Sequence, residues 1–214
     1  MEVFASLKCL SVALAGPFSR SRVAVDDIYF LERRVVLLLA ETNPRTHQSS
    51  TSYSDEQRLC LEYERTVYQI SLGVEIYIYL FFRDQLVGAS NFSVLVSRLS
   101  ESLHSSEGVP QRGGTNQALD SHRIAENDEN SEVLYWVVVV GALAANGREE
   151  RSSFVMKLRA LGSMLRVITF PEFVARLKII AWVETRVDDT LLELWNEIQS
   201  LGCRFGDVTE WPLE

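Results

Sequence analysis

The sequence predicts an all-α protein, an irregular multi-helix bundle of about seven helices with one long flexible loop. Apolar residues recur every three or four positions along most of the chain, which is the period of one face of an α-helix. Two capping boxes, Ser54 with Gln57 and Thr169 with Glu172, mark helix starts. Apolar residues form 47% of the chain and charged residues 23%, a composition typical of globular proteins with a core.

The first predicted helix spans Val25–Ala40. Its large apolar residues share one face, and Asp26 and Asp27 lie near its start, where the positive end of the helix dipole favours acids. Pro44 prevents the helix from continuing. No fold is predicted for residues 1–24, because a targeting segment and a frayed first helix both fit their composition.

The second predicted helix runs from Ser54 to about Arg83 and carries the longest apolar stripe of the first half. It is polar on one side at first and becomes apolar on all sides from Ile70 onward. A helix that is apolar all round is covered by its neighbours, so we expect it at the centre of the first half. Cys60, on this helix, is expected to be a small buried apolar residue.

A compositional change divides the chain into two helical halves. The third predicted helix, Ser90–His104, completes the first half, residues 25–104. Residues 105–130 are rich in Gly, Ser, Asn, Gln and acids, and they are expected to form a flexible loop or linker. Residues 131–214 form the second helical half, which is expected to share one domain with the first.

The second half contains four predicted helices, on or beside which three of the four tryptophans lie. Val137–Val140 are β-branched and could form a strand, but the apolar run is long and ends in Asn146-Gly147, so a helix is expected. The predicted helices lie at 131–146, from Glu149 to Ile168, after the Thr169 cap to Ala181, and from Asp188 or Asp189 to Leu201.

Charge and hydropathy limit the kinds of partner. The formal net charge is −8, which repels a phosphate backbone, so no direct nucleic-acid binding is expected. The longest apolar runs, Ile70–Phe82 and Val133–Ala145, have about 13 residues, against the ~20 that cross a bilayer. No membrane partner is therefore expected, whereas protein partners are.

No catalytic, cofactor-binding or metal-ligating residue is assigned, and no cofactor is expected. The three cysteines, Cys9, Cys60 and Cys203, are far apart, which argues against disulfides and a structural zinc site. The histidines, His47, His104 and His122, fall in or beside polar segments and belong to no recognised catalytic pattern.

An alternative reading is an all-helical, magnesium-dependent enzyme of the terpene-synthase type. Asp188 and Asp189 with Glu193 loosely match the aspartate-rich motif of that class. The second motif of the class is loosely matched by Asn127, Asp128 and Ser131, but Tyr135 occupies its final acidic position. Magnesium requires a nearly complete set of oxygen ligands, and helix capping explains Asp188 and Asp189 without a metal.

The second half resembles the regulatory domain of fungal-specific transcription factors, which lies downstream of a DNA-binding zinc binuclear cluster. The shared pattern is an aliphatic-Trp helix, a Gly/Ala-rich patch, a Gly turn, then an acid and an aromatic. In this sequence it reads Leu134-Tyr135-Trp136, Gly141-Ala142-Leu143-Ala144-Ala145, Gly147, Glu150 and Phe154, followed by Trp182, Asp188 or Asp189, and Leu194-Trp195. Weaker similarity is found at Tyr77–Phe81, Val96, Leu99 and Leu103.

The resemblance implies a non-enzymatic, all-α regulatory domain of a nuclear protein, similar to the C-terminal part of such a factor. It would act through contacts with itself or with the transcription machinery, or by sensing a small effector molecule. The six-cysteine cluster is absent, so zinc binding and DNA contact are not implied. Outside this family, a helical interaction scaffold in the cytoplasm is the remaining alternative. In either case Trp136, Gly141, Trp182 and Trp195 are expected to pack helices together, Gly141 by close backbone approach.

Overall fold

The fold is all-α, as predicted. The computed structural model describes residues 22–41, 55–81, 90–104, 120–182 and 188–201, and these contain helices and turns with no strand. The helices are α1 (Arg22–Glu41), α2 (Asp55–Phe81), α3 (Ser90–His104), α4 (Asp120–Ala144), α5 (Arg151–Met164), α6 (Phe170–Ile180) and α7 (Asp188–Ser200).

Helix α4 begins earlier than the sequence predicts. Residues 120–130 were expected to belong to the flexible loop, but they form the first turns of α4. The C-terminal half of α4 is buried, and a helix that is already nucleated extends at little cost per residue. Residues 105–119 of the predicted loop, and Ser54 of the first capping box, lie outside the described residues.

Two helices, α2 and α4, form the centre of the bundle. Every residue of 71–78 and of 135–145 is buried, including the β-branched run Val137–Val140, which is helical as expected. The two helices approach closely at Gly73, where a β-carbon would lie 2.9 Å from Cγ2 of Val137. The central position predicted for the second helix is therefore confirmed.

The tryptophans pack helices together, as predicted. Trp136, Trp182 and Trp195 are all buried. The indole N–H of Trp136 donates to the carbonyl oxygen of Ala181 at 2.7 Å, so the buried polar group has an acceptor. Tyr77 lies between the rings of Trp136 and Trp182, with centroids 5.1 and 6.5 Å away. These contacts join α2, α4 and the end of α6.

Gly141 also serves packing, but in a different way from the one expected. A β-carbon at Gly141 would lie 2.5 Å from Cε1 of Phe154 and 3.0 Å from Cδ2 of Leu99. The close neighbours are thus side chains of α5 and α3 and not a backbone. The missing side chain makes room for the Phe154 ring, which is itself buried.

The second capping box forms at the start of α6. The Thr169 hydroxyl accepts from the backbone N–H of Glu172 at 3.4 Å, and the Glu172 carboxylate accepts from the N–H groups of Thr169 and Ile168. These backbone N–H donors lower the pKa of the Glu172 carboxyl, and the N–H of Ile168 has the largest effect. Pro171 occupies the first turn, where it displaces no helical hydrogen bond.

The prediction that Cys60 is buried was wrong. Its side chain is exposed, and its thiol lies 3.8 Å from the Glu64 carboxylate. Cys60 belongs to the polar, N-terminal part of α2, before the all-apolar segment that enters the core. Within the described residues, none of the helices is long and apolar enough to cross a bilayer.

Candidate functional site

Helix α1 presents an apolar surface on the side that faces away from the bundle. Leu31 and Val35 are buried, and α1 packs against α2. Four large apolar side chains on its other sides are between 48% and 63% exposed. These residues, which we call the α1 outer face, are Tyr29, Phe30, Val36 and Leu37.

The described charges on this part of α1 are mostly positive. Arg33 is exposed and lies one turn from Tyr29 and from Leu37 along the helix. The guanidinium of Arg34 lies 5.7 Å from the centre of the Phe30 ring, within the range of a cation–π contact. The α1 outer face therefore combines apolar area with positive charge in a protein whose formal net charge is −8.

The exposed area is large for a surface without a partner. Tyr29 and Phe30 leave more than half of their surface accessible, and an aromatic side chain offers roughly 150–250 Å² in total. With Val36 and Leu37 added, the patch reaches a few hundred Å², the size at which exposed apolar patches often mark interaction sites.

A second candidate is a polar groove between α3 and the start of α5. It is an open depression of about 590 Å³, lined by Ser97, Ser100, Glu101, His104 and Glu150. The Ser97 hydroxyl donates to the Glu150 carboxylate at 2.5 Å, and this bond is the main cause of the lowered pKa of Glu150. We call this feature the α3–α5 groove.

His104 is held at two points beside this groove. Its Nδ1 lies 2.7 Å from the carbonyl oxygen of Ser100, and its Nε2 lies 2.9 Å from the hydroxyl of Ser153. A carbonyl oxygen only accepts hydrogen bonds, so Nδ1 carries the proton of the neutral ring. Nε2 is then the acceptor, and the Ser153 hydroxyl donates to it.

Further polar contacts fix α3 against α5 and the turn before it. The Lys157 ammonium donates to the carbonyl oxygen of Leu103 at 2.7 Å, and the Arg148 guanidinium donates to the Ser93 hydroxyl at 2.7 Å. Glu150 is the N-cap residue of α5, but its side chain makes no capping hydrogen bond. Its carboxylate instead binds Ser97 of α3.

Sequence reasoning did not find the pair formed by Ser153 and His104. His104 was placed beside a polar segment and given no role, and Ser153 was not singled out. The two residues are 49 positions apart, so only the packing of α3 on α5 brings them together. His47 and the side chain of His122 lie outside the described residues.

The described residues do not form the magnesium site that the enzyme alternative requires. Asp189 and Glu193 lie exposed on α7, while Tyr135 is buried with its ring 5.9 Å from that of Phe173. In the part of the chain that the structure describes, no three His, Cys, Asp or Glu residues are grouped as metal ligands. The side chains of Asp188, Asn127 and Asp128 fall outside it.

Among the described residues, one carboxyl group is buried inside the bundle. Glu75 of α2 is only 8% exposed. Burial raises the pKa of its carboxyl, and the negative charge of Glu32 on α1 raises it further, whereas Arg98 on α3 opposes both effects. The Glu75 carboxyl therefore differs from an exposed one, because burial disfavours the charged form.

Comparison with protein-family models, with curated proteins and with solved structures finds no match for this chain. The resemblance to fungal transcription-factor domains therefore stays a prediction from the residues themselves.

Proposed function

We propose that this chain is a regulatory domain whose action in transcription, in the nucleus, is to bind a partner protein. The single observation that carries the proposal is the α1 outer face. The partner segment that fits it is an amphipathic helix with large apolar residues and flanking acids.

The physical reason is the free energy of exposed apolar surface. Covering Phe30 and Leu37 with apolar side chains removes that area from water, which is favourable by roughly 25 cal/mol per Å² before the costs of association. Acids on the partner would lie near Arg33 and would direct the encounter and its orientation. Together these effects favour an acidic, amphipathic partner.

A second copy of the chain fits this face less well. A twofold dimer would place the same patch of each copy against the other, with the arginines of both copies close together. A stable dimer that depends on Leu37 would contradict the choice of partner.

The nuclear setting rests on the resemblance. Its most distinctive residues, Trp136, Gly141, Trp182 and Trp195, have packing roles in the described structure. A domain of this kind supplies a rigid core, and its function depends on what its surface binds. This fits an action through protein contact at α1.

A transcription reporter in a fungal host cell tests the proposal. The full chain is fused to a DNA-binding module, and reporter output is compared with that of the module alone. Phe30→Glu places a charge in the α1 outer face. Met156→Glu is the matched control, because Met156 is equally exposed, at 63%, but lies on α5. We expect the wild-type fusion and the control to change reporter output, and Phe30→Glu to lose most of that change.

A further inference from the structure

We propose that Ser153, whose hydroxyl lies against the groove residue His104, is a nucleophile activated by that histidine, and that small carboxylic esters are hydrolysed at this edge of the α3–α5 groove. This inference is independent of the function proposed for α1. It rests on the continuous hydrogen-bonded chain from the Ser153 hydroxyl, through the His104 ring, to the carbonyl oxygen of Ser100.

The direction of these hydrogen bonds is the one that nucleophilic catalysis needs. The Ser100 carbonyl fixes the His104 tautomer that has its proton on Nδ1. Nε2 therefore holds a lone pair directed at the Ser153 hydroxyl at 2.9 Å, within the reach of a general base. The carbonyl of Ser100 orients the ring, as a third group does in other nucleophile–base pairs.

The two helices hold this geometry firmly. His104 is the last residue of α3, and Ser153 lies in the first turn of α5. Lys157, one turn beyond Ser153, binds the carbonyl oxygen of Leu103, the residue before His104. The pair is thus positioned by helix packing rather than by a loop, and the packing fixes the distance between nucleophile and base.

The start of α5 also offers donors for a negative oxygen. Ser152 and Ser153 occupy the second and third positions of the helix. The backbone N–H groups at these two positions are the ones that an N-cap side chain usually satisfies. The Glu150 side chain does not cap them. A helical side chain leans toward the helix N-terminus, so a carbonyl attacked by Ser153 develops its charge near these N–H groups and the positive end of the dipole.

The reaction follows from these groups. The Ser153 oxygen bonds to the ester carbonyl carbon while its proton moves to Nε2 of His104. The carbon–oxygen bond to the leaving alcohol then breaks, and the alcohol takes that proton, which leaves an acyl ester on Ser153. His104 next removes a proton from water, the hydroxide adds to the acyl carbon, and the carboxylic acid leaves as the proton returns to the Ser153 oxygen.

The groove indicates the class of ester. Its lining side chains, Ser97, Ser100, Glu101, His104 and Glu150, are all polar, and the depression is open to solvent. It offers hydrogen bonds and negative charge and has no apolar acyl pocket among these residues. Short acyl groups, such as acetyl, are therefore the expected substrates.

The test uses the purified full chain with 4-nitrophenyl acetate, followed over many turnovers. We expect Ser153→Ala and His104→Gln to lower the turnover rate by about 100-fold or more, the range that a positioned general base supplies. The matched control is Ser200→Ala on α7, since the exposed Ser200 hydroxyl binds a carbonyl of its own helix, that of Glu197, away from the groove. The control is expected to keep the wild-type rate.

A second measurement on the wild-type chain does not depend on how the variants fold. Diisopropyl fluorophosphate is added, and mass spectrometry locates the adduct, which we expect on Ser153. An adduct on a different residue would overturn the proposal. Equal turnover by folded Ser153→Ala and Ser200→Ala, or acetylation that stops after one acetyl group per chain, would overturn it too.

Discussion

At the scale of single residues, burial decides how the chemistry of a side chain is expressed. Glu75 lies among apolar neighbours on α2, with Glu32 on α1 and Arg98 on α3 as the charged groups that influence it. Its raised pKa means that folding shifts the Glu75 carboxyl toward its protonated form. A carboxyl that looks like an ordinary surface acid in the sequence thus becomes a source of pH-dependent stability.

The upward direction of the Glu75 pKa shift determines how stability should depend on pH. Because the folded pKa lies above the unfolded value, near 4.5, Glu75 contributes stability that is fully present below that value. The contribution is lost as the pH rises through the folded pKa. Glu75→Gln keeps the shape of the neutral form, so it should be more stable than the wild type at neutral pH. Urea unfolding at several pH values measures this, and a constant difference between the two proteins would contradict it.

Gly141 and Gly162 make a matched pair of helical glycines. Alanine at Gly141 would press its β-carbon into the Phe154 ring and Leu99, so Gly141→Ala should destabilise the protein by about 1–3 kcal/mol. At Gly162 the nearest atom is the Tyr135 hydroxyl oxygen at 3.6 Å, an ordinary contact. Gly162→Ala should therefore stabilise α5 by about 0.5–1 kcal/mol. Denaturant midpoints check both signs, and a stabilising Gly141→Ala would show that the core at Phe154 is loose.

At the scale of the helices, local signals were predictable and distant contacts were not. The capping box of Thr169 and Glu172 and the stripe of α3 depend on residues three or four apart, so the sequence contains them directly. The start of α4 at Asp120 depends on a helix nucleated further along the chain. Cys60 has an apolar character but belongs to the polar part of α2, where it is exposed. The pairing of Ser153 with His104 requires α3 and α5 to be packed, which no spacing reveals.

The cap of α6 can be tested with a control on another helix. Thr169→Ala removes the hydroxyl that accepts from the Glu172 N–H, and we expect a loss of about 1 kcal/mol. Thr66 is the control, because its hydroxyl donates to the Glu62 carbonyl within α2, where alanine has the higher helix propensity. Thr66→Ala should leave stability unchanged or slightly raised. Equal losses in the two variants would mean that the hydroxyl does not act as a cap.

At the scale of the whole molecule, the buried centre and the exposed edge have different roles. Helices α2 and α4 fill the centre, and the tryptophans join them to α6. Helix α1 contributes only part of its surface to this core and presents the rest outward. The core residues carry the resemblance to the transcription-factor domains, whereas the proposed action lies on α1, which the resemblance hardly describes.

The central claim is that the α1 outer face binds the partner through which the chain regulates transcription. The most direct measurement is the change in reporter output produced by the Phe30→Glu fusion, divided by that produced by the Met156→Glu fusion, at equal protein levels. Because a charge at Phe30 would be buried in the interface, this ratio should fall to about one tenth or lower. A ratio near one would contradict the account, and so would a wild-type fusion that leaves reporter output unchanged.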